Sequence, residues 1–132
     1  MLQERTSKPV LGIFQAAITH SLLSGKKFGI VTTGQAWVTT LTAGVSSFLG
    51  ANASDRFAGV IATNIGVLEL KEGNPESIKK RVEDCSGEIA RRGAGGIIIG
   101  CAGKNRMTNM TCTFSDNHQG WREWKKTSNE VQ

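Results

Sequence analysis

The run Ile97-Ile98-Ile99, closed by Gly100, constrains this chain more than any other stretch. Three consecutive β-branched residues favour an extended backbone, and an uninterrupted apolar run suits a parallel strand covered on both faces, where neither face has to meet water. Cys101 then falls at the carboxyl end of that strand. Open α/β sheets hold their ligands at such ends, and Gly100 and Gly103 leave room for backbone amides to approach an anion closely. Position alone leaves two readings of Cys101 open, a reactive thiol at a ligand-binding edge and a small thiol packed at a strand end.

The preceding chain alternates helix and strand signals. Pro9 and Gly12 mark a turn, after which Phe14, Ala17, Ile18 and Leu22 recur at helical spacing until Gly25. Phe28 to Val31 reads as a short strand with Thr32, Thr33 and Gly34 at its carboxyl end. A second helix is expected from about Gln35 to Gly50, with Trp37, Leu41, Val45 and Phe48 along its apolar stripe. Ala51 to Phe57 reads as a polar connection, Gly59 to Ala62 as a strand ending at Thr63-Asn64, and Ile65 to Leu70 as an apolar segment that is either helical or extended. Asn74-Pro75-Glu76 starts a third helix, because Asn caps, Pro suits the first turn and Glu suits the positive helix end. Ile78, Val82, Cys85 and Ile89 share one face of it, which makes Cys85 a core thiol, and Arg91-Arg92-Gly93 close it.

Crossovers of this length force parallel pairing with helices on the faces, so the expected class is α/β, a three-layer sandwich around a short parallel sheet. Such a sheet carries Thr32-Thr33, Thr63-Asn64 and Cys101 to one edge. The threonine pair after the first strand suits an anion cradle made with the amides of the following helix, and it equally suits an ordinary helix cap.

Composition narrows the function classes. With 132 residues the chain is one domain, and 39% hydrophobic content with only 6% aromatics implies an aliphatic core. Three cysteines, an odd number without framework spacing, point to free thiols in a reducing, cytoplasmic compartment. No apolar run is long enough for a membrane span and no leader precedes the domain, so no membrane partner is expected, and Asn52-Ala53-Ser54 and Asn109-Met110-Thr111 read as chance matches to the glycosylation pattern. The formal charge of +5 suits an anionic substrate, but the basic residues are dispersed and lack interleaved aromatics, which argues against a nucleic-acid partner. His20 reads as a helix residue, and Cys112 and His118 lack a second ligand pair, so neither a metal nor a cofactor is expected.

Four segments in order carry a family likeness: KPVLGIFQAA (Lys8 to Ala17), KKFGIVTTG (Lys26 to Gly34), GVIATNIGVLEL (Gly59 to Leu70) and GAGGIIIGCAG (Gly93 to Gly103). Together they resemble the aspartate/glutamate/hydantoin racemase superfamily, and most of all its hydantoin and allantoin racemase-like branch. The resemblance implies a racemase lobe of flavodoxin-like type over residues 1–103; the divergent tail, 104–132, lies outside it, and its Trp121, Glu123 and Trp124 suit a short amphipathic turn able to dock on the lobe. It implies a cofactor-independent racemase of a hydantoin-like or amino-acid-derived substrate, with Cys101 as one of two cysteines flanking the stereocentre. Thr32, Thr33, Thr63, Asn64, Gly100, Ala102 and Gly103 would then surround a small anionic or ring-carbonyl substrate.

This chain departs from the family pattern where the second acid/base is concerned. In relatives the first catalytic cysteine precedes the stretch matching Lys8 to Ala17, Gln15 stands where relatives tend to carry glutamate, and the region after Gly103 does not follow the family's return to its first domain. The chain therefore resembles the second lobe of a two-lobed racemase, to be completed by a homo-oligomeric partner, by an N-terminal lobe or by Cys112 from a folded-back tail. The alternative is a catalytically inactive, truncated or divergent racemase-like domain with a structural or binding role.

Overall fold

Strand β1 (Phe28–Thr32) is the element against which everything else packs, and all five of its residues are buried. In the computed structural model, which describes residues 5–24, 26–50 and 53–100, the chain runs α1 (Ile13–Leu23), β1, α2 (Ala36–Leu49), α3 (Ala53–Arg56), β2 (Phe57–Ala62), α4 (Val67–Glu72), α5 (Pro75–Arg91) and β3 (Gly96–Ile99). The three strands form one sheet in the order β2-β1-β3, and both neighbours of β1 run parallel to it. Stepping from β1 to β2 and then back past β1 to β3 reverses direction across the sheet. Crossovers of the same hand then put their helices on opposite faces.

The side chains bear this out. Ile30 lies in register with Val60 and with Ile98, and these three join Phe28, Ile18 of α1 and Val45 of α2 in one buried cluster. Alternation along β1 turns Gly29 to the other face, where α5 lies so close that a β-carbon on Gly29 would come within 2.9 Å of Ile89 Cδ1. Beyond β2, Ile65 and Leu70 pack with Ile78 and Val82 of α5 in a second cluster. The result is the expected α/β architecture, a short parallel sheet with α1 and α2 on one face and α5 on the other.

Local signals account for most boundaries. Asn74 Oδ1 accepts a hydrogen bond from Glu76 N–H at 3.0 Å, and Pro75 occupies the first turn of α5. At the start of α1 the Gly12 N–H donates to Gln15 Oε1 at 2.9 Å, the return half of a capping box, so Gln15 serves the helix start. At the amino edge of the sheet Arg56 Nη2 donates to Leu22 O at 3.1 Å and Lys26 O at 3.3 Å, joining the end of α1 and the turn before β1 to the start of β2.

Four sequence expectations change. Ile97 and Ile99 are only half-buried, because β3 is an outer strand among the described residues; the strand covered on both faces is β1, whose central place decides burial more than β-branching does. The inward stripe of α2 is Val38, Leu41, Val45 and Leu49, while Trp37 is 58% and Phe48 43% exposed. Strand β2 starts at Phe57, two residues before Gly59, and its register with β1 slips between Phe28 and Ile30, a bulge that Gly59 accommodates at φ 108°. The connection before it contains the single helical turn α3, and the ambiguous apolar segment is helical as α4. Gly25, the tail 104–132 and Cys101 to Gly103 lie outside the described residues.

The tight seat of α5 on β1 is testable. Gly29→Ala should destabilise the fold by about 1–3 kcal/mol through overpacking against buried Ile89. Combining it with Ile89→Ala, which removes both the Cγ2 and the Cδ1 that a new β-carbon would meet, should cost less than the two single changes added together, as read by urea denaturation.

Candidate functional site at the carboxyl edge of the sheet

Because both pairings of β1 are parallel, the carboxyl ends of all three strands meet at one edge. Thr32 there is 1% exposed and Thr63 6% exposed. The Thr63 N–H donates to Thr32 O at 2.9 Å, and Thr63 Oγ1 donates to the same oxygen at 3.2 Å, so the two strand ends are joined by a double hydrogen bond. On the other side the Gly100 N–H donates to Val31 O at 2.8 Å, extending the β1–β3 ladder one residue beyond β3. A β-carbon on Gly100 would lie 3.5 Å from Thr32 Cβ, which puts the backbone leading into Cys101 directly beside Thr32.

Asn64 follows Thr63 with its side chain exposed and its backbone at φ 55°, the left-handed region that asparagine tolerates better than other non-glycine residues. Thr33 is half-buried at the start of the turn into α2. Thus Thr32, Thr33, Thr63, Asn64 and Gly100 share one edge. Ala102, Gly103 and Cys101 follow Gly100 in sequence, outside the described residues.

Helix direction adds to the character of this edge. The helix α2 carries the chain from the carboxyl end of β1 back toward the start of β2, and α5 does the same between β2 and β3. The C-terminus of α1 is held beside the start of β1 through Arg56, which leaves its N-terminus pointing the other way. The starts of α1, α2, α4 and α5 therefore gather with the strand ends, and helix starts carry partial positive charge. Asn74 caps α5, whereas no side chain caps α2 at Gln35 or α4 at Gly66.

What the described strand-end residues offer is hydrogen bonding: threonine hydroxyls, an asparagine amide and backbone N–H groups. Cys85, the one described thiol, sits mid-way along α5 with Sγ 3.8 Å from Ala62 O, on the helix face as expected and half-buried. His20 is exposed on α1. The Glu88 carboxyl is held below its ordinary value by hydrogen bonds from Arg91 and then Arg92, but it lies at the last turn of α5, by the opposite edge. Among the described residues no group of His, Cys, Asp and Glu is arranged to hold a metal ion, and no helix is long and apolar enough to cross a membrane.

Two features of the edge went unread in the sequence. The double bond from Thr63 to Thr32 O depends on the strand register, which no local signal carries. The left-handed turn at Asn64 did have a signal, an asparagine two residues before a glycine at the end of a strand.

Known proteins resemble this chain in sequence and in fold. The chain matches the family model described as Asp/Glu/Hydantoin racemase over residues 1–111, past the point at Gly103 where its motifs end. Protein DCG1 of Saccharomyces cerevisiae is 30% identical over 111 residues, spanning 81% of this chain and 45% of that protein. An uncharacterized protein of Schizosaccharomyces pombe is 34% identical over 114 residues, spanning 83% of this chain and 45% of that one. In fold, the structure of an allantoin racemase from Klebsiella pneumoniae aligns with a TM-score of 0.63 at 22% identity, covering 93% of this chain and 50% of that chain. The chain thus spans about half the length of the relatives it matches. With the family model matched along most of its length, this chain belongs to the Asp/Glu/hydantoin racemase family.

Proposed function

We propose that this chain supplies one side of a cofactor-independent racemase site, acting on a hydantoin-like or amino-acid-derived substrate. The observation that carries the reading is the convergence of Thr32, Thr33, Thr63, Asn64 and Gly100 at one sheet edge, inside the stretch matched to the family. Cys101, next in sequence after Gly100, is the acid/base of this side. Its thiolate removes the proton from a carbon acidified by a neighbouring carbonyl, or its thiol returns one, since cysteine titrates close enough to neutrality for both tasks. Negative charge that develops on the carbonyl oxygen is met by the Thr33 hydroxyl, the Asn64 amide and the backbone amides of Ala102 and Gly103, while the Gly100 N–H and the Thr63 hydroxyl, committed to Val31 O and Thr32 O, shape the edge. The positive start of α2, left without a side-chain cap, favours the anionic part of the substrate.

Racemisation needs a second group that delivers or removes a proton on the opposite face. The described strand ends hold only hydroxyls, an amide and backbone groups, which do not titrate near neutrality. One side alone therefore exchanges the substrate proton with solvent while retaining configuration. Following optical rotation and α-proton exchange together on 5-substituted hydantoins, allantoin, aspartate and glutamate tests this. Cys101→Ala should lower exchange by about 10²- to 10⁴-fold. If exchange is absent from the parent on every substrate, the chain is instead a family member that keeps the fold without the chemistry.

Asn64 separates fold from ligand recognition. Asn64→Gly keeps the left-handed backbone and should leave the urea midpoint nearly unchanged while weakening exchange. Asn64→Val should lose about 1–2 kcal/mol of stability as well, because a β-branched residue is strained at φ 55°.

A further inference from the structure

Basic residues that lie dispersed along the sequence gather at one end of the fold. Lys26 and Lys27 stand in the turn before β1, Arg56 closes α3 at the start of β2, and Arg91 and Arg92 end α5 before β3. These segments meet at the amino edge of the sheet, because the strands they precede are parallel. Residues 22–28, 53–57 and 88–96 together hold these five cations against two acids, Asp55 and Glu88. That surplus of three is about twice what the carboxyl ends of α1, α2 and α5 offset there, at roughly half a charge each.

Three of the five cationic stems are seated on bare backbone. A β-carbon on Gly95 would come 2.8 Å from Lys26 Cδ, one on Gly93 3.9 Å from Lys27 Cδ, and one on Gly59 3.2 Å from Arg92 Nη1. Lys26 and Lys27 are accordingly half-buried. Lys27 O accepts from the N–H groups of Gly95 and Gly96 at 2.7 and 3.1 Å, which stitches the turn after α5 to the turn before β1. Arg56, through its bonds to Leu22 O and Lys26 O, ties the same turn to β2. Glu88 steadies both Arg91 and Arg92, one carboxylate shared between two guanidinium groups, so positive charge remains. Leu23, whose preceding carbonyl Arg56 holds, is 82% exposed.

We propose that this edge is a docking surface for an acidic segment of another protein, which sets carboxylates against Lys26, Lys27, Arg91 and Arg92 and an apolar side chain against Leu23. The surface lies at the end of the sheet opposite the strand-end residues and stands independently of the racemase reading. Cations already held in place lose little side-chain freedom when a partner arrives. They attract a partner of opposite sign and repel a basic one, which gives the contact its specificity and makes it sensitive to salt. A peptide supplies carboxylates and apolar side chains together, as these cations beside an exposed leucine require. A nucleic acid would find no exposed aromatic side chain among the described residues of these segments on which to stack a base.

The test uses the 132-residue chain and a fluorescein-labelled peptide with leucines spaced among glutamates, followed by anisotropy at low and at physiological salt. Binding is expected that salt weakens, and that Lys27→Gln and Arg91→Gln each weaken about two- to fivefold. Lys80→Gln, which removes the same charge nearer the start of α5, should leave it nearly unchanged. Gly95→Ala keeps every charge and should still weaken binding, because a β-carbon there displaces the Lys26 stem. Leu23→Ser should weaken the leucine-containing peptide but not poly-glutamate of the same length. Circular dichroism checks that each variant folds, and Arg91, exposed on the helix end, carries the test should Lys27→Gln disturb its turn. A single-stranded oligonucleotide and phosphatidylserine vesicles serve as the other polyanions. No peptide binding at low salt, an equal effect of Lys80→Gln, or tighter binding of the oligonucleotide or the vesicles than of the peptide overturns the proposal.

Discussion

Burying β1 on both faces is the requirement from which the rest of the molecule follows. A strand in that position must find hydrogen-bond partners on either side and apolar cover above and below, because no water reaches its backbone. The parallel neighbours β2 and β3 satisfy the first demand. Helices meet the second, with α1 and α2 contributing Ile18 and Val45 on one face and α5 contributing Ile89 on the other. Parallel pairing then leaves no choice about where the strands end. Their carboxyl termini must lie together, and the loops that follow them inherit that address.

The two edges of the sheet are built from different interactions. At the amino edge Arg56 holds two carbonyls from the α1–β1 connection, and Glu88 pairs with Arg91 and Arg92 at 2.6 and 3.4 Å. The Arg56 bonds tie the end of α1 and the turn before β1 to the start of β2, and the Glu88 pairs stay within the last turn of α5. The carboxyl edge is held by backbone bonds and by one buried hydroxyl, that of Thr63, with uncapped helix starts around it. Arginine contacts at one end and helix starts without side-chain caps at the other give the two edges different electrostatic character.

Much of this was legible in the residues, and the exceptions have physical causes. The alternation of elements, the Asn74 cap and the strand-end positions of Thr32, Thr63 and Gly100 could be read because each rests on a local signal. What failed was information set by neighbours in space. The isoleucine run of β3 looked like the most enclosed strand, yet Ile97 and Ile99 are half-buried while β1, which includes Gly29 and Thr32, is fully enclosed. Composition reports what a strand tolerates, and sheet order decides what it experiences. The same limit explains α2, where stripes through Trp37 and through Val38 both satisfy helical spacing and only packing against β2 selects between them. The bulge at Gly59 was hidden because a register slip is a property of a strand pair.

The double hydrogen bond to Thr32 O also governs what kind of molecule this edge can receive. That carbonyl already accepts from the Thr63 N–H and Oγ1, Val31 O accepts from the Gly100 N–H, and Ala62 O is faced by the Cys85 thiol. The backbone acceptors nearest the strand ends are therefore occupied by the protein itself. An amine finds these three carbonyls already engaged, whereas an acceptor oxygen meets the starts of α2 and α4, which no side chain caps. The edge is thus selective by saturation: with the Thr63 hydroxyl and the Cys85 thiol taking part, the fold closes its own carbonyls to outside donors.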